Sequence, residues 1–298
     1  MTGPRHIVID CDPGIDDAAA ILMALADPRL DVLALTCVHG NKPLDVTTAN
    51  ALRILDLAGR PDVPVYAGAD RPLLIPAAAD GDYYGSDGLG DTGLPQPTRG
   101  PAAAHAVDAL LETVATAPPA SIWLCAIGPL TNVALAMRMD PGFASRLGGL
   151  VVMGGNVAPG APAEFNIATD PAAAEIVFSS EAALTLTPYD VTRVRHASSP
   201  TLDALAASAS HPAQAVAAMQ RSRSPAGSAL HDAFALATLT APDLFAFAEG
   251  SVRVDWRDPD RQGVTHFTAR AGGRHRVVRD VDAAGFERLL VASLTALT

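Results

Sequence analysis

The chain has 298 residues, of which 49% are hydrophobic and 5% aromatic, and its formal net charge is −11 at pH 7. No apolar run approaches the roughly 18 residues that a transmembrane helix needs, which argues against a membrane protein. The negative charge and the lack of a basic stripe argue against nucleic-acid binding, because phosphates are bound by clustered cations. No secretory signal is visible, so we expect a cytoplasmic protein.

Strand-like apolar runs alternate with helix-like stretches from the first residues to about residue 187. The predicted strands lie at 6–10, 30–38, 63–68, 121–127, 149–155 and 183–188. Such alternation is typical of a parallel sheet that is covered by helices on both faces. We therefore predict one α/β domain over residues 1–298, with an open, mostly parallel, Rossmann-like sheet.

Long irregular segments and a different C-terminal part interrupt this pattern. The segments 68–100 and 156–169 are rich in Gly, Pro and Asp, which predicts loops. The Ala- and Ser-rich tract 200–229 predicts one or two helices, with 221–230 as a flexible segment. The C-terminal part predicts short antiparallel strands at 251–256 and 264–281 and a last helix at 282–294. We expect all three loops to surround a site at the carboxyl ends of the strands, where open parallel sheets bind ligands.

The stretch IDCDPGIDDA places four aspartates in eight positions directly after the first strand: Asp10, Asp12, Asp16 and Asp17. One aspartate in the first turn of a helix is explained by the helix N-terminus alone. Several carboxylates that converge in a partly buried place must instead hold protons or share a cation. A set of oxygen ligands favours a hard divalent ion, and calcium accepts the less regular sets. Asp232 begins a later helix and is a candidate distal ligand, although an N-cap role explains it equally well.

Several motifs carry a family resemblance. DCDPGIDDAAAI resembles the signature of the inosine-uridine type nucleoside hydrolases. GSDGLGD, AIGPLTNVALA, VVMGG, AEFNIATDPAAA, HDAFALA and DVDAAGFERLL are similar to further blocks of that family, in family order, over nearly the whole chain. The resemblance implies a calcium-dependent enzyme of nucleoside catabolism and salvage that hydrolyses the N-glycosidic bond of ribonucleosides to free base and ribose. It also implies a homo-oligomer, either a dimer or a tetramer.

The resemblance further implies a role for each matching residue. Asp12, Asp17, Asp232 and the backbone carbonyl of Ile127 would bind calcium, and Asp12 would also take a proton from the attacking water. His231 would donate a proton to the leaving base. The full set of expected substrate-binding residues is Asp16, Asn41, Tyr84, Met153, Asn156, Glu164, Asn166 and His231.

Two departures from the family pattern concern the substrate. Tyr84 stands where many relatives have a histidine, and tyrosine is a weak acid at neutral pH. The loop from Met153 to Glu164 is shorter than usual, with Ala158 in place of an expected asparagine and Asn156 as the nearest substitute. These departures leave the base preference open, and with it the alternative of a nucleoside- or ribose-binding relative without turnover.

A second alternative is a haloacid-dehalogenase-like phosphatase, which also has two aspartates after its first strand. That family needs a cationic residue, typically lysine, in a later motif, whereas Lys42 is the single lysine of this chain and comes too early. Pro13 and Gly14 also replace the expected continuation of the first motif. Both observations favour the hydrolase.

Overall fold

The computed structural model describes residues 3–74, 84–194, 197–224 and 229–297. Nine strands in these ranges form one sheet in the order β3-β2-β1-β4-β5-β6-β9-β7-β8. The strands are β1 (Arg5–Cys11), β2 (Leu30–Cys37), β3 (Val65–Ala67), β4 (Ile122–Ala126), β5 (Gly149–Met153), β6 (Leu184–Thr187), β7 (Phe245–Val254), β8 (Thr265–Ala269) and β9 (His275–Val281).

Helices follow most of the strands. They are α1 (Ile15–Ala26), α2 (Leu44–Leu57), α3 (Ala106–Thr116), α4 (Thr131–Met139), α5 (Phe143–Arg146), α6 (Phe165–Thr169), α7 (Pro171–Phe178), α8 (Tyr189–Thr192), α9 (Ser199–Ala206), α10 (His211–Arg223), α11 (His231–Thr240) and α12 (Ala283–Ala296). In the described part of the chain, none of these helices combines the length and the apolar character that crossing a bilayer requires.

The sheet is parallel from β1 to β6, and β9 joins β6 in the same direction. β7 pairs antiparallel with both β9 and β8, so the C-terminal strands extend one edge of the main sheet. The prediction of an open, mostly parallel α/β sheet is confirmed. The predicted start of the antiparallel part was wrong, because β7 begins at Phe245, where the sequence FAFAEG already alternates along the strand.

Helices cover both faces of the sheet, and the alternation of side chains along β1 explains why. Ile7 and Ile9 point into a core that includes α1, α10, α11 and α12, whereas Val8 lies in a second core with α3, α4 and α7. Neighbouring residues of a strand face opposite sides of the sheet, so an uninterrupted apolar strand supplies both cores.

Two of the predicted loops contain helix. The segment 156–169, predicted to be irregular, ends in α6, whose first turn is capped by the side chain of Glu164; a helix of five residues is too short to give a periodic pattern. The tract 200–229 forms α9 and α10, and α10 runs to Arg223, so the first residues of the predicted loop 221–230 are helical. Residues 75–83 of the loop 68–100 and residues 225–228 lie outside the described residues.

Candidate active site

The carboxyl ends of the parallel strands bring the predicted site residues to one edge of the sheet. Asp12 follows β1, Asn41 follows β2 after a short turn, and Ile127 follows β4. α1 and α11 pack against each other with their N-terminal turns at this edge, which adds Asp16, Asp17 and Asp232. The aspartate cluster of the sequence therefore meets a carboxylate from more than two hundred residues further along the chain.

Three carboxylates form a tight group. Asp16, Asp17 and Asp232 each offer one oxygen, and these three oxygens lie within 4.8 Å of one another. All three side chains are buried. A carboxylate group of this kind supplies only oxygen ligands, which is the donor set that a hard divalent cation such as calcium prefers.

Asp12 lies beside this group and is held from several sides. Its Oδ2 accepts a hydrogen bond of 2.6 Å from the backbone N–H of Asn41. Its Oδ1 is buried and has no hydrogen-bond partner among the described residues. A Cβ atom on Gly40 or Gly128 would overlap the carboxylate, so both glycines are required by the close approach of their backbones to Asp12. The structure thus presents a fixed carboxylate with one oxygen available.

The pKa values of these carboxyl groups are raised. Burial and then the charge of Asp17 raise the pKa of Asp16 to about 7, and the same two causes raise that of Asp12 well above its usual value. Burial raises the pKa of Asp17 to about 6, although the backbone N–H of Gly14 opposes the shift. Burial and the charges of Asp16 and Asp17 raise the pKa of Asp232 strongly. These carboxyl groups therefore hold protons at higher pH than exposed aspartates do, unless a cation replaces the protons.

The predicted ribose-binding residues surround the carboxylates. The Asn41 amide donates to the backbone carbonyl of Asp12 at 3.1 Å and to Oδ2 of Asp17 at 3.2 Å. The Asn166 amide donates to the carbonyl of Ile127 at 2.8 Å and to the carbonyl of Met153 at 3.3 Å. The Ile127 carbonyl, expected to bind the metal, is thus bonded to Asn166 in this structure.

Glu164 is buried and fixed by the backbone around it. Its carboxylate accepts hydrogen bonds from the N–H groups of Gly155 at 2.9 Å, Asn166 at 3.0 Å and Ile167 at 3.2 Å. Burial raises its pKa, and these hydrogen bonds oppose the shift. The Asn156 amide donates to the carbonyl of Pro162 at 2.8 Å and so closes the loop before α6.

Tyr84 and His231 each lie next to one of the clustered aspartates, Tyr84 beside Asp16 and His231 directly before Asp232. The Tyr84 ring packs next to Gly14, and its side chain is hydrogen-bonded to Asp16, which acts to lower the pKa of that carboxyl. His231 is the first residue of α11; its Nδ1 is 2.7 Å from the hydroxyl oxygen of Thr192, and its ring packs against that of Tyr189.

The three carboxylates that lie closest together in the structure differ in one member from the predicted metal ligands. The tight group contains Asp16, which we expected to hold ribose, and does not include Asp12, although the charge of Asp12 acts on Asp232. Asp10, for which no role was predicted, is also buried; it accepts hydrogen bonds from Thr36 and Asn132, and burial raises its pKa to about 7. Asn132 could have been predicted to lie near the site, because it ends the GPLTN motif that follows β4.

Comparison with known proteins gives consistent results. The family model "Inosine-uridine preferring nucleoside hydrolase" matches residues 7–288. The pyrimidine-specific ribonucleoside hydrolase RihA of Citrobacter koseri is 35% identical, with 97% of each chain covered. Uridine nucleosidase 1 of Arabidopsis thaliana is 39% identical over 84% of this chain and 78% of its own.

A solved plant nucleoside hydrolase superposes with a TM-score of 0.89 at 34% identity, covering 98% of this chain and 99% of the plant chain. The match over almost the full length, together with the family model, extends well beyond the aspartate motif. The chain belongs to the inosine-uridine preferring nucleoside hydrolase family, and the family, fold and enzyme class predicted from its sequence are confirmed.

Proposed function

We propose that the protein hydrolyses ribonucleosides to free base and ribose in a calcium-dependent reaction at the acidic edge of the sheet. The observation that carries this proposal is the buried group of Asp16, Asp17 and Asp232 beside Asp12, whose Oδ1 lacks a partner among the described residues. Buried carboxylates with strongly raised pKa values in a crevice are typical of functional sites.

The donor set fits a calcium ion. The ion would be held by Asp12, Asp17, Asp232 and the carbonyl of Ile127. Asp16 would lie next to it, because its carboxylate belongs to the same tight group as Asp17 and Asp232. A bound calcium ion would neutralise the carboxylates and polarise a water molecule for attack on the anomeric carbon.

Asp12 acts as the general base in this proposal. The N–H of Asn41 fixes one of its oxygens, so the other keeps a constant direction and can take the proton of the attacking water. Breaking a ribosyl bond builds positive charge on the sugar, and a pocket rich in carboxylates favours that transition state. Asp16, Asn41, Glu164 and Asn166 hold the ribose hydroxyls.

The leaving base must gain a proton or a strong hydrogen bond as the bond breaks. His231 supplies it in the proposal, because it is the first residue of α11 and directly precedes Asp232. Tyr84, Met153 and Asn156 complete the surroundings of the substrate. A cytoplasmic location and a homo-oligomeric assembly are proposed with this function.

The test is a panel of uridine, cytidine, inosine, adenosine and guanosine with chromatographic detection of base and ribose in equal amounts. The family model is named for inosine, a purine nucleoside, as well as uridine, and one relative is named for pyrimidine nucleosides, so both base classes belong in the panel. Base release should stop after dialysis against a calcium-selective chelator and return with calcium. Nucleoside binding without base release over hours would overturn the proposed activity, and full activity of metal-free protein would overturn the calcium dependence.

A further inference from the structure

Thr192 is buried at the end of α8, and it lies outside all of the motifs that predict the site. Its side chain is 1% exposed. Its hydroxyl oxygen is 2.7 Å from Nδ1 of His231, a residue 39 positions further along the chain. A buried hydroxyl at that distance from a ring nitrogen makes a hydrogen bond whichever group donates.

The contact fixes the imidazole in two directions. The Thr192 hydroxyl is also 3.2 Å from the carbonyl of Tyr189, which limits its own rotation. The Tyr189 ring covers the imidazole, with ring centroids 4.8 Å apart and an angle of 37° between the planes. The hydroxyl therefore holds one edge of the His231 ring while the phenol ring holds one face.

α8 is itself bound to the loop that leads to Glu164. The N–H of Tyr189 donates to the carbonyl of Gly155 at 2.8 Å. Oδ2 of Asp190 accepts hydrogen bonds from the N–H groups of Val157 at 3.0 Å and Ala158 at 2.6 Å. The same short helix thus connects the backbone that leads to Glu164, proposed to hold ribose, to the ring of His231, proposed to act on the base.

We propose that Thr192 is a positioning residue that holds the His231 ring with Nε2 directed at the leaving base; the proposal rests on the proposed function. A group that transfers a proton must be aligned with its acceptor, and small displacements of such a group reduce the rate strongly. Loss of the hydroxyl should slow reactions that need help at the leaving group and spare those that do not.

The experiment compares Thr192→Val and Thr192→Ser with the calcium-loaded wild type. The matched control is Thr238→Val on α11, where the buried hydroxyl donates to the carbonyl of Ala235 at 2.7 Å. Each protein is assayed on the best ribonucleoside of the panel and on 4-nitrophenyl β-D-ribofuranoside. Nitrophenolate departs without a proton, so the second substrate does not depend on an acid at the leaving group.

Thr192→Val should lower kcat on the ribonucleoside by about tenfold or more, with KM and the nitrophenyl riboside rate within about twofold. Thr192→Ser should restore the ribonucleoside rate because it keeps the hydroxyl, and Thr238→Val should behave as wild type. If Thr192→Val melts far below wild type, Thr192→Ala provides the same test.

An unchanged kcat, an equal loss on both substrates, or a failure of Thr192→Ser to recover activity would overturn the positioning role alone. A wild type that releases no base from any nucleoside would overturn the proposed function and the positioning role together. The two failures are therefore separate observations.

Discussion

Aspartates in two regions of the molecule have opposite surroundings. At the acidic edge of the sheet, burial and neighbouring carboxylates raise the pKa values of Asp12, Asp16 and Asp232. On the surface, hydrogen bonds from Arg60 lower the pKa of Asp62, and hydrogen bonds from Arg146 lower that of Asp140. The charged form of aspartate is thus destabilised by burial and like charges at the site, and stabilised by arginine on the surface.

The difference indicates what each region contributes. An exposed ion pair changes stability little, because water already solvates both charges. A buried group of like charges lowers the stability of the metal-free protein, since each ionised carboxylate opposes the next. Such an arrangement is typical of a site that binds a cation or transfers a proton rather than of one that stabilises the fold.

The largest effect is expected from Asp12→Ala. Removing the general base should lower kcat on a ribonucleoside by about 10³-fold. The chain should remain folded, because the lost hydrogen bond to the N–H of Asn41 is offset by relief of repulsion from Asp17. Base release measured by chromatography, with a thermal melt of each protein, tests both statements.

Asp62→Ala is the matched control, because that aspartate is exposed, pairs with Arg60, and precedes the amino end of β3, whereas the site lies at the carboxyl ends of the strands. It should keep full activity. An Asp12→Ala protein with near-normal turnover would contradict the role assigned to this carboxylate, and an unfolded one would show that Asp12 acts in stability instead.

Asp232→Asn should change two quantities in opposite directions. Loss of one anionic oxygen ligand should weaken calcium binding by about 10- to 100-fold. The chelated protein should become more stable at neutral pH, because an amide keeps the shape of Asp232 and requires neither a buried charge nor the uptake of a proton on folding. Calorimetric titration with calcium and a thermal melt in chelator measure the two effects. A fall in both affinity and metal-free stability would indicate general damage to the site.

The stability of the chelated protein should fall as pH rises from 4.5 to 7.5. A carboxyl group whose folded pKa is raised stabilises the fold below its unfolded pKa near 3.8, and this stabilisation disappears as pH passes the folded value. The folded values are about 7 for Asp10 and Asp16 and about 6 for Asp17, and one pKa unit corresponds to about 1.4 kcal/mol.

Buried histidines change the stability with pH in the opposite direction, so the chelated protein is compared with the calcium-saturated protein. Burial lowers the pKa values of His39 and His275, whose stabilisation is lost as pH falls. They contribute equally with and without calcium. The melting-temperature gap between the calcium-saturated and the chelated protein should therefore widen by several degrees from pH 4.5 to 7.5, and a constant gap would contradict the raised pKa values of the acidic edge.

The sequence predicted the acidic edge better than the surroundings of His231. Four aspartates within eight positions are a local signal, and strand–helix alternation places them at the carboxyl edge of a parallel sheet. Thr192 and Tyr189 gave no such signal. Their contact with His231 arises because α8 and α11 meet in the tertiary structure, and neither residue type marks a site by itself.

The short helices α6 and α8 were also not predicted from the sequence. α6 has five residues and α8 has four, so neither completes the two turns in which an apolar period becomes visible. The grouping of Asp16 with Asp17 and Asp232 depends on the angle at which α1 packs on α11, which the periodicity of either helix leaves undetermined.

The smallest effect is expected from Asp62→Asn. Asp62 accepts hydrogen bonds from Nε and Nη2 of Arg60 at 2.9 and 2.8 Å, but its side chain is 63% exposed, so the pair should contribute less than about 0.5 kcal/mol. Because its pKa is lowered, Asp62 contributes a pH dependence of stability opposite to that of the buried aspartates. Its stabilisation is present at neutral pH and is lost as pH falls below the unfolded pKa near 3.8. Asp62→Asn should therefore lower the melting temperature of the chelated protein slightly at pH 7, less so in 1 M salt, while Asp232→Asn raises it. The same chemical change would then act with opposite signs at the two places, and a rise for both variants would show that net negative charge, not local burial, controls the stability of this protein.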